Sequence, residues 1–208
     1  MAASQRRVPE ERRQQIIDVA KKLFSERGYS KTSLEAILSQ TGGSRRDIYD
    51  FFKDKQGLFD AVMHDLISTI VTGSQVPKET EFTDDVQSEL ERMGETFLTN
   101  MLSPIVVTTM RQFIAVATER QDLGKAAYQA GPAVLYERFK TYLDERVRRG
   151  DLELQDTGTA ARMFIEMLKG DYQTRALMTG DSGMTPELRK THVQEIVRIF
   201  LYGALPRS

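Results

Sequence analysis

Apolar residues recur along most of the chain at intervals of three and four, the spacing that gathers them on one face of a helix. Ile16, Ala20, Leu23 and Phe24 form the first stripe. Pro9 is placed to open that helix, Glu10 and Glu11 sit beside its positive end, and Gly28 is placed to end it. Leu34, Ile37 and Leu38 predict a short second helix over about 33–40, capped by Thr32 or Ser33. Gly42 and Gly43 predict a turn. Ser44 then caps a third short helix over about 44–51, with Asp47 three residues on, where a capping-box acid belongs. Asp54 caps a longer fourth helix whose stripe is Leu58, Phe59, Val62, Met63, Leu66 and Ile70.

The polar stretch GSQVPKETEFTD at 73–84 contains Gly and Pro and predicts a loop. Beyond it the same periodicity gives helices over about 84–102, 104–119, 122–130 and 132–149. One long helix is expected from Asp156 or Thr157 through Ala160, Ala161, Phe164, Ile165 and Leu168, as far as the break GDSGMTP at 180–186. A final helix follows to about residue 203. Ile105, Val106 and Val107 have strand composition, but an isolated strand has nothing to pair with, so they are expected in a buried helix. No internal repeat and no low-complexity segment interrupts the series. The fold class is all-α.

Other features narrow the function. No apolar run approaches the roughly 18–20 residues that cross a bilayer, and MAASQRRVPEERRQQ has no apolar centre of the kind a signal peptide needs. No membrane partner is expected, and the expected location is cytoplasmic. The 208 residues include no cysteine, which excludes disulfides and thiolate metal sites. The net charge of -1 conceals an uneven distribution. Residues 1–57 carry 12 Lys/Arg against 8 Asp/Glu, whereas residues 58–208 carry 17 against 22. A basic head on an acidic body suits a DNA-reading domain at 1–57 and a body at 58–208 that does not touch DNA.

The head carries the chemistry. A short helix, a glycine turn and a second short helix that is basic in front and aromatic behind have the layout of a helix-turn-helix. The front of the second helix holds Ser44, Arg45, Arg46 and Asp47. Arginine is suited to a bidentate contact with guanine. Neighbours on a helix diverge by about 100°, so one arginine is expected to read a base and the other to hold a phosphate. Tyr49 can donate its hydroxyl to a phosphate. Thr32 and Ser33 can offer hydroxyls and backbone N–H groups to another. Lys53 and Lys55 fall where the duplex backbone should pass. Ile48, Phe51 and Phe52 are expected in the core. Enzyme signatures are missing: His64 and His192 have no ligand-spaced partner, GGS at 42–44 lacks the Lys-Ser/Thr of a phosphate loop, and there is no Gly-x-Ser-x-Gly. No metal, no cofactor and no catalytic residue is expected.

Residues 10–60, with Thr32/Ser33 to Ile37, the glycine turn, Ser44 and Ile48-Tyr49-x-x-Phe52-x-x-Lys55-x-x-Leu58-Phe59, resemble the DNA-binding region of the TetR family of bacterial regulators. The resemblance implies a three-helix DNA-binding domain followed by a helical ligand-binding and dimerisation domain. It also implies a homodimer, usually a repressor, released from a double-stranded DNA operator by a small-molecule effector. The family's phosphate-contacting tyrosine and lysine map onto Tyr49 and Lys55. Phe51 stands where relatives often have histidine or tyrosine, and it brings no hydrogen-bonding group.

Residues 148–180 resemble the C-terminal domain of the AefR-like branch, which implies a dimer interface on the last long helices. The residues expected there are Phe164, Leu168, Val193, Ile196, Val197, Phe200 and Leu201. An apolar or amphipathic effector would meet Phe97, Met101, Met110, Phe113, Tyr128, Phe139, Tyr142, Met163 and Met167, whose methionines suit an adaptable pocket. The alternative is a DNA-binding factor with no small-molecule ligand, controlled by a protein partner or acting architecturally.

Overall fold

In a computed structural model of the chain, the residues described are 4–73, 76–77, 81–119 and 121–203. They hold eleven helices and no strand. In chain order these are α1 (Ser4–Arg27), α2 (Leu34–Thr41), α3 (Arg45–Phe52), α4 (Lys55–Gly73), α5 (Val86–Met101), α6 (Pro104–Glu119), α7 (Gln121–Ala130), α8 (Pro132–Arg149), α9 (Thr157–Lys169), α10 (Tyr172–Thr179) and α11 (Pro186–Tyr202). The run Ile105–Val107 lies in α6, as expected of a buried helix. Two expectations need correction. Pro9 does not open α1, which begins five residues earlier at Ser4. The carbonyl that loses its partner to Pro9 therefore belongs to Gln5, in the helix's opening turn. The long helix expected after Asp156 is two helices, α9 and α10. Gly170 breaks it with φ 50°, a conformation that glycine adopts without Cβ strain. The predicted loop at 73–84 lies partly outside the described residues.

The chain divides into two compact units, Met1–Ser68 with Thr108–Ala127, and Thr69–Val107 with Tyr128–Ser208. In the first, the stripe of α1 forms the centre: Ile16, Ile17, Ala20, Leu23 and Phe24 are fully buried. Ile37 of α2, Ile48 and Phe52 of α3, and Leu58, Phe59 and Val62 of α4 close on it. Phe24, Tyr29 and Phe59 form an aromatic cluster with centroids 4.7–5.6 Å apart. Lys21 pairs with Asp65, which also accepts from Gln14 Nε2 at 3.0 Å, so α1 is tied to α4 by charge as well as by packing. Gln112 of α6 donates to Phe24 O at 2.6 Å and accepts from Tyr29 N–H at 3.0 Å, sealing the turn after α1.

In the second unit α8 packs on α9, and α11 on both α5 and α9. The starts of α5, α9 and α11 are marked by side-chain caps. Asp85 accepts from Ser88 N–H and Asp156 from Thr159 N–H, both at 2.9 Å, and Thr185 accepts from Leu188 N–H at 3.2 Å. Leu90, Phe97, Phe139, Leu143, Phe164 and Val197 fill the core. Phe139 stacks on Tyr142 and on Phe164, with centroids 5.6 and 4.9 Å apart.

Within this core sits a charged group absent from the sequence reading. Arg146 is fully buried. Its guanidinium meets Glu89 Oε2, Asp151 Oδ2 at 2.6 Å and Thr83 O at 2.9 Å, and lies 4.5 Å from the centroid of the Phe82 ring. Tyr142 Oη donates to Glu89 Oε2 at 3.0 Å. The Arg146 guanidinium nitrogens and both Glu89 oxygens are all engaged, which is the condition under which buried charge is tolerated. Burial pushes the Glu89 carboxyl up, but the Thr83 N–H and the Arg146 guanidinium outweigh it and hold the group below its usual 4.5.

A depressed carboxyl adds stability above the ordinary carboxylate range, and that stability is lost as pH falls through the lower folded value. Glu89→Ala is expected to leave Arg146 short of a partner and to destabilise the fold by about 3–5 kcal/mol in urea unfolding. Glu89→Gln should flatten the acid limb of stability below about pH 4.5 relative to the parent. A change under about 0.5 kcal/mol for Glu89→Ala would mean that the pair is not uncompensated when broken.

Candidate nucleic-acid interface

Eight residues make a helix too short to stand alone in water, so α3 exists because its neighbours hold it. Ile48 and Phe52, four apart, share one face, and both are buried. The guanidinium of Arg13 lies over the outer side of Phe52, 5.4 Å from the ring centroid. Phe51 is half-buried beside Phe52, with centroids 5.9 Å apart. Once this face is fixed, the opposite face must point outward. It carries Arg45 (76% exposed), Arg46 (87%) and Tyr49 (72%).

The N-terminus of α3 is built by Ser44 and Asp47. Ser44 N–H donates to Asp47 Oδ2 at 3.2 Å and the Ser44 hydroxyl to Asp47 Oδ1 at 3.3 Å. The bond from the Ser44 backbone, more than the nearby Arg12 charge, holds the Asp47 carboxyl below its ordinary value. Asp47 is thereby committed to capping, which leaves the two arginines as the long polar groups at this end. They diverge as expected. Arg45 reaches back to Glu35 of α2, while Arg46 turns along its own helix to Asp50 at 3.6 Å. Both ion pairs are exposed and therefore exchangeable for phosphate or base.

The flanking residues are placed unequally. Ser33 caps α2, accepting from Ala36 N–H at 3.1 Å, and stays exposed. Thr32 is only 1% exposed, and its hydroxyl points inward, 2.8 Å from Gly28 O and 3.2 Å from Leu23 O. Its side chain therefore seals the turn after α1 and is not offered to a phosphate. Lys53 is exposed and ends α3 with φ 70°. Lys55 is half-buried: its Nζ lies 4.4 Å from the centroid of the Tyr29 ring and 3.5 Å from Ser30 O. Burial lowers its pKa from the usual 10.5. The surface this produces is a short rod with two arginines and a tyrosine outward, flanked by Ser33, Lys53 and Lys55.

Arg12, on α1, is a member of this site that the motif does not show. Its Nη1 donates to Thr41 O at 2.6 Å, its Nη2 donates to Gly42 O, and Nη2 lies 3.5 Å from Asp47 Oδ2. The available signal was positional, because the apolar stripe 16–20–24 extended back by four residues lands on Arg12.

The body residues expected to meet an effector are dispersed. Phe97 and Phe139 line an apolar cavity of about 20 Å³ with Val76, Met93, Leu135 and Phe164. Tyr142 is buried in the Arg146 cluster. Met101 and Met167 are half-buried, and Met163 is exposed. Tyr128 is exposed too. In the first unit Met110 is half-buried and Phe113 buried. Four of the residues expected to face a second copy instead belong to the chain's own core: Phe164, Leu168, Val193 and Val197 are at most 2% exposed. Val193 and Val197 of α11 are buried where that helix packs on α5 and α9 of the same chain. Ile196, Phe200 and Leu201 remain half-buried. Among the described residues no group of His, Cys, Asp and Glu is placed to hold a metal ion.

Comparison with known proteins agrees with this geometry. Residues 16–62 match the family model for bacterial regulatory proteins of the tetR family. Residues 88–203 match that for the AefR-like transcriptional repressor C-terminal domain. The HTH-type transcriptional regulator SrpR of Pseudomonas putida is 31% identical over 167 residues, which is 77% of this chain and 73% of SrpR. The HTH-type transcriptional regulator AcrR of Shigella flexneri is 45% identical over 62 residues, 30% of this chain, and the match spans 29% of AcrR. A solved structure from Mesorhizobium loti, described as a TetR-family regulator, shares the fold with a TM-score of 0.83 at 23% identity, covering 93% of this chain and 96% of that one. A helix-turn-helix head with its reading face outward, and family matches over both the head and most of the remaining chain, lead to one conclusion: the chain belongs to the TetR family of transcriptional regulators.

Proposed function

We propose that the protein is a homodimeric repressor that reads a two-fold related operator through α3 and leaves it when a small apolar or amphipathic effector binds the body. Residues 1–57 form the reading part, and residues 58–208 the effector and pairing part. The observation that carries the reading is the outward face of α3, where Arg45, Arg46 and Tyr49 stand free of the core while Ile48 and Phe52 anchor the helix. In this reading one arginine contacts a base edge, and the other holds phosphate together with Tyr49, Ser33, Lys53 and Lys55. Two copies place two such rods on successive turns of the major groove.

Pairing uses the half-buried Ile196, Phe200 and Leu201 of α11, helped by the exposed Met163 of α9. The effector enters where Phe97, Phe139 and Phe164 already leave an apolar gap. At about 20 Å³ that gap is far below the ~300 Å³ a drug-sized ligand fills, so binding requires the core to open. The small size of this gap favours the second reading, a DNA-binding factor with no small-molecule ligand.

Three outcomes are expected. Lys55→Ala should weaken binding to all duplexes and make the log–log salt dependence shallower by about one, whereas Arg45→Ala or Arg46→Ala should lose about 1–3 kcal/mol at one base position. An unchanged salt slope for Lys55→Ala would remove it from the phosphate set. Ile196→Glu should sediment as a folded monomer at concentrations where the parent is a dimer, and a parent that is itself monomeric refutes the pairing. Apolar compounds that raise the melting temperature of the parent should also lower its duplex affinity. A compound panel that shifts neither property favours the ligand-free reading.

A further inference from the structure

We propose that Arg12 is a positioning residue for sequence reading: without touching DNA, it sets the angle at which α3 is presented. This rests on the DNA-reading role of α3 argued above. Three acceptors meet at the turn between α2 and α3, two of them also served locally: Gly42 O by the Thr41 hydroxyl at 3.0 Å and Asp47 Oδ2 by Ser44 N–H at 3.2 Å. Thr41 O and Gly42 O belong to the C-terminal end of α2, where carbonyls lack intrahelical partners. The Asp47 carboxylate belongs to the first turn of α3. One guanidinium, rooted on α1, serves all three: Nη1 donates to Thr41 O at 2.6 Å, Nη2 donates to Gly42 O, and Nη2 lies 3.5 Å from Asp47 Oδ2. A planar fork with fixed N–H directions holds acceptors on two helices in one mutual orientation, which a flexible ammonium does not do.

The turn is shaped around this fork. Gly43 has φ 84°, and a Cβ there would fall on Arg12 Nη2 and on Asp47 Oδ2. The site has room for the guanidinium only because that residue has no side chain. Arg12 itself is about four-fifths covered and aimed at the turn, so it is not one of the exposed cations beside α3. Phosphate contacts tolerate small rotations because they are numerous and non-directional, but base-edge hydrogen bonds do not. Loss of the fork is therefore expected to harm discrimination between sequences more than overall attraction to DNA.

The test begins with wild-type protein enriching a preferred duplex from a random-sequence pool. Affinities for that duplex and for a scrambled one of equal length are then measured over a salt series, together with melting temperatures, for wild type, Arg12→Gln and Arg12→Lys. The expected result is a fall of about tenfold or more in the ratio of preferred to scrambled affinity for both variants, with the salt dependence on the scrambled duplex unchanged. Should Arg12→Gln fail to fold, Arg12→Lys, which keeps the charge and part of the bonding, carries the same expectation. Three results overturn the proposal. One is a ratio within twofold of wild type in the folded variants. Another is rescue by lysine, which would make charge sufficient. The third is equal loss on both duplexes with a shallower salt slope, which would make Arg12 a phosphate contact. Wild-type protein that binds neither duplex at low salt would instead overturn the DNA-reading role itself, and this proposal with it.

Discussion

A helix of eight residues has no stability of its own, and that constraint organises the first unit. The residues proposed to read base edges lie on α3, so α3 must be held from one side and left bare on the other. Ile48 and Phe52 provide the hold by entering a core that α1, α2 and α4 have already closed. Their burial fixes the rotation of the helix about its own axis. Arg45, Arg46 and Tyr49 point outward as a consequence, and the two arginines meet only exposed carboxylates there. The polar contacts at the helix start act on a different degree of freedom. Ser44 and Asp47 fix where the helix begins, and Arg12 fixes its inclination to the brace.

The second unit solves a different problem. Apart from the eight-residue α10, its helices are long enough to pack by their apolar stripes, as the aromatic stack through Phe139 and Phe164 shows. The exception is the charged cluster around Arg146, where α5, α8 and the segments at 83 and 151 converge. Replacing such a cluster with apolar side chains is often neutral for stability, but breaking it on one side is not. The cluster therefore specifies one packing of these segments and penalises the others.

Much of this was legible in the sequence. The stripes at three and four fixed which residues of α1, α4 and α5 turn inward. The expected caps Ser33, Ser44, Asp54 and Asp156 lie at helix starts with their side-chain oxygens engaged there. The outward residues of α3 followed from its period. What was not legible has a common cause. Arg12 and Arg146 each occupy a position that continues an apolar stripe, Arg12 ahead of Ile16 and Ala20, Arg146 after Leu135, Phe139 and Tyr142. Composition classes them as surface residues, whereas periodicity places them inside. The inward turn of Thr32 was hidden for a similar reason, since a threonine before a helix serves equally well as a cap or as a buried donor. The destination of the α11 stripe was also undetermined, because a sequence does not say whether an apolar face meets its own chain or a second one. Val193 and Val197 meet their own chain.

The most direct test of the account is to follow the backbone amide resonances of isotopically labelled protein as duplex DNA is added at low ionic strength. The account predicts shifts concentrated at residues 44–49, with further changes at Ser33, Lys53 and Lys55, while the amides around Arg146 stay in place. Shifts confined to the second unit, or none at all at residues 44–49 in protein that demonstrably binds the duplex, would contradict it.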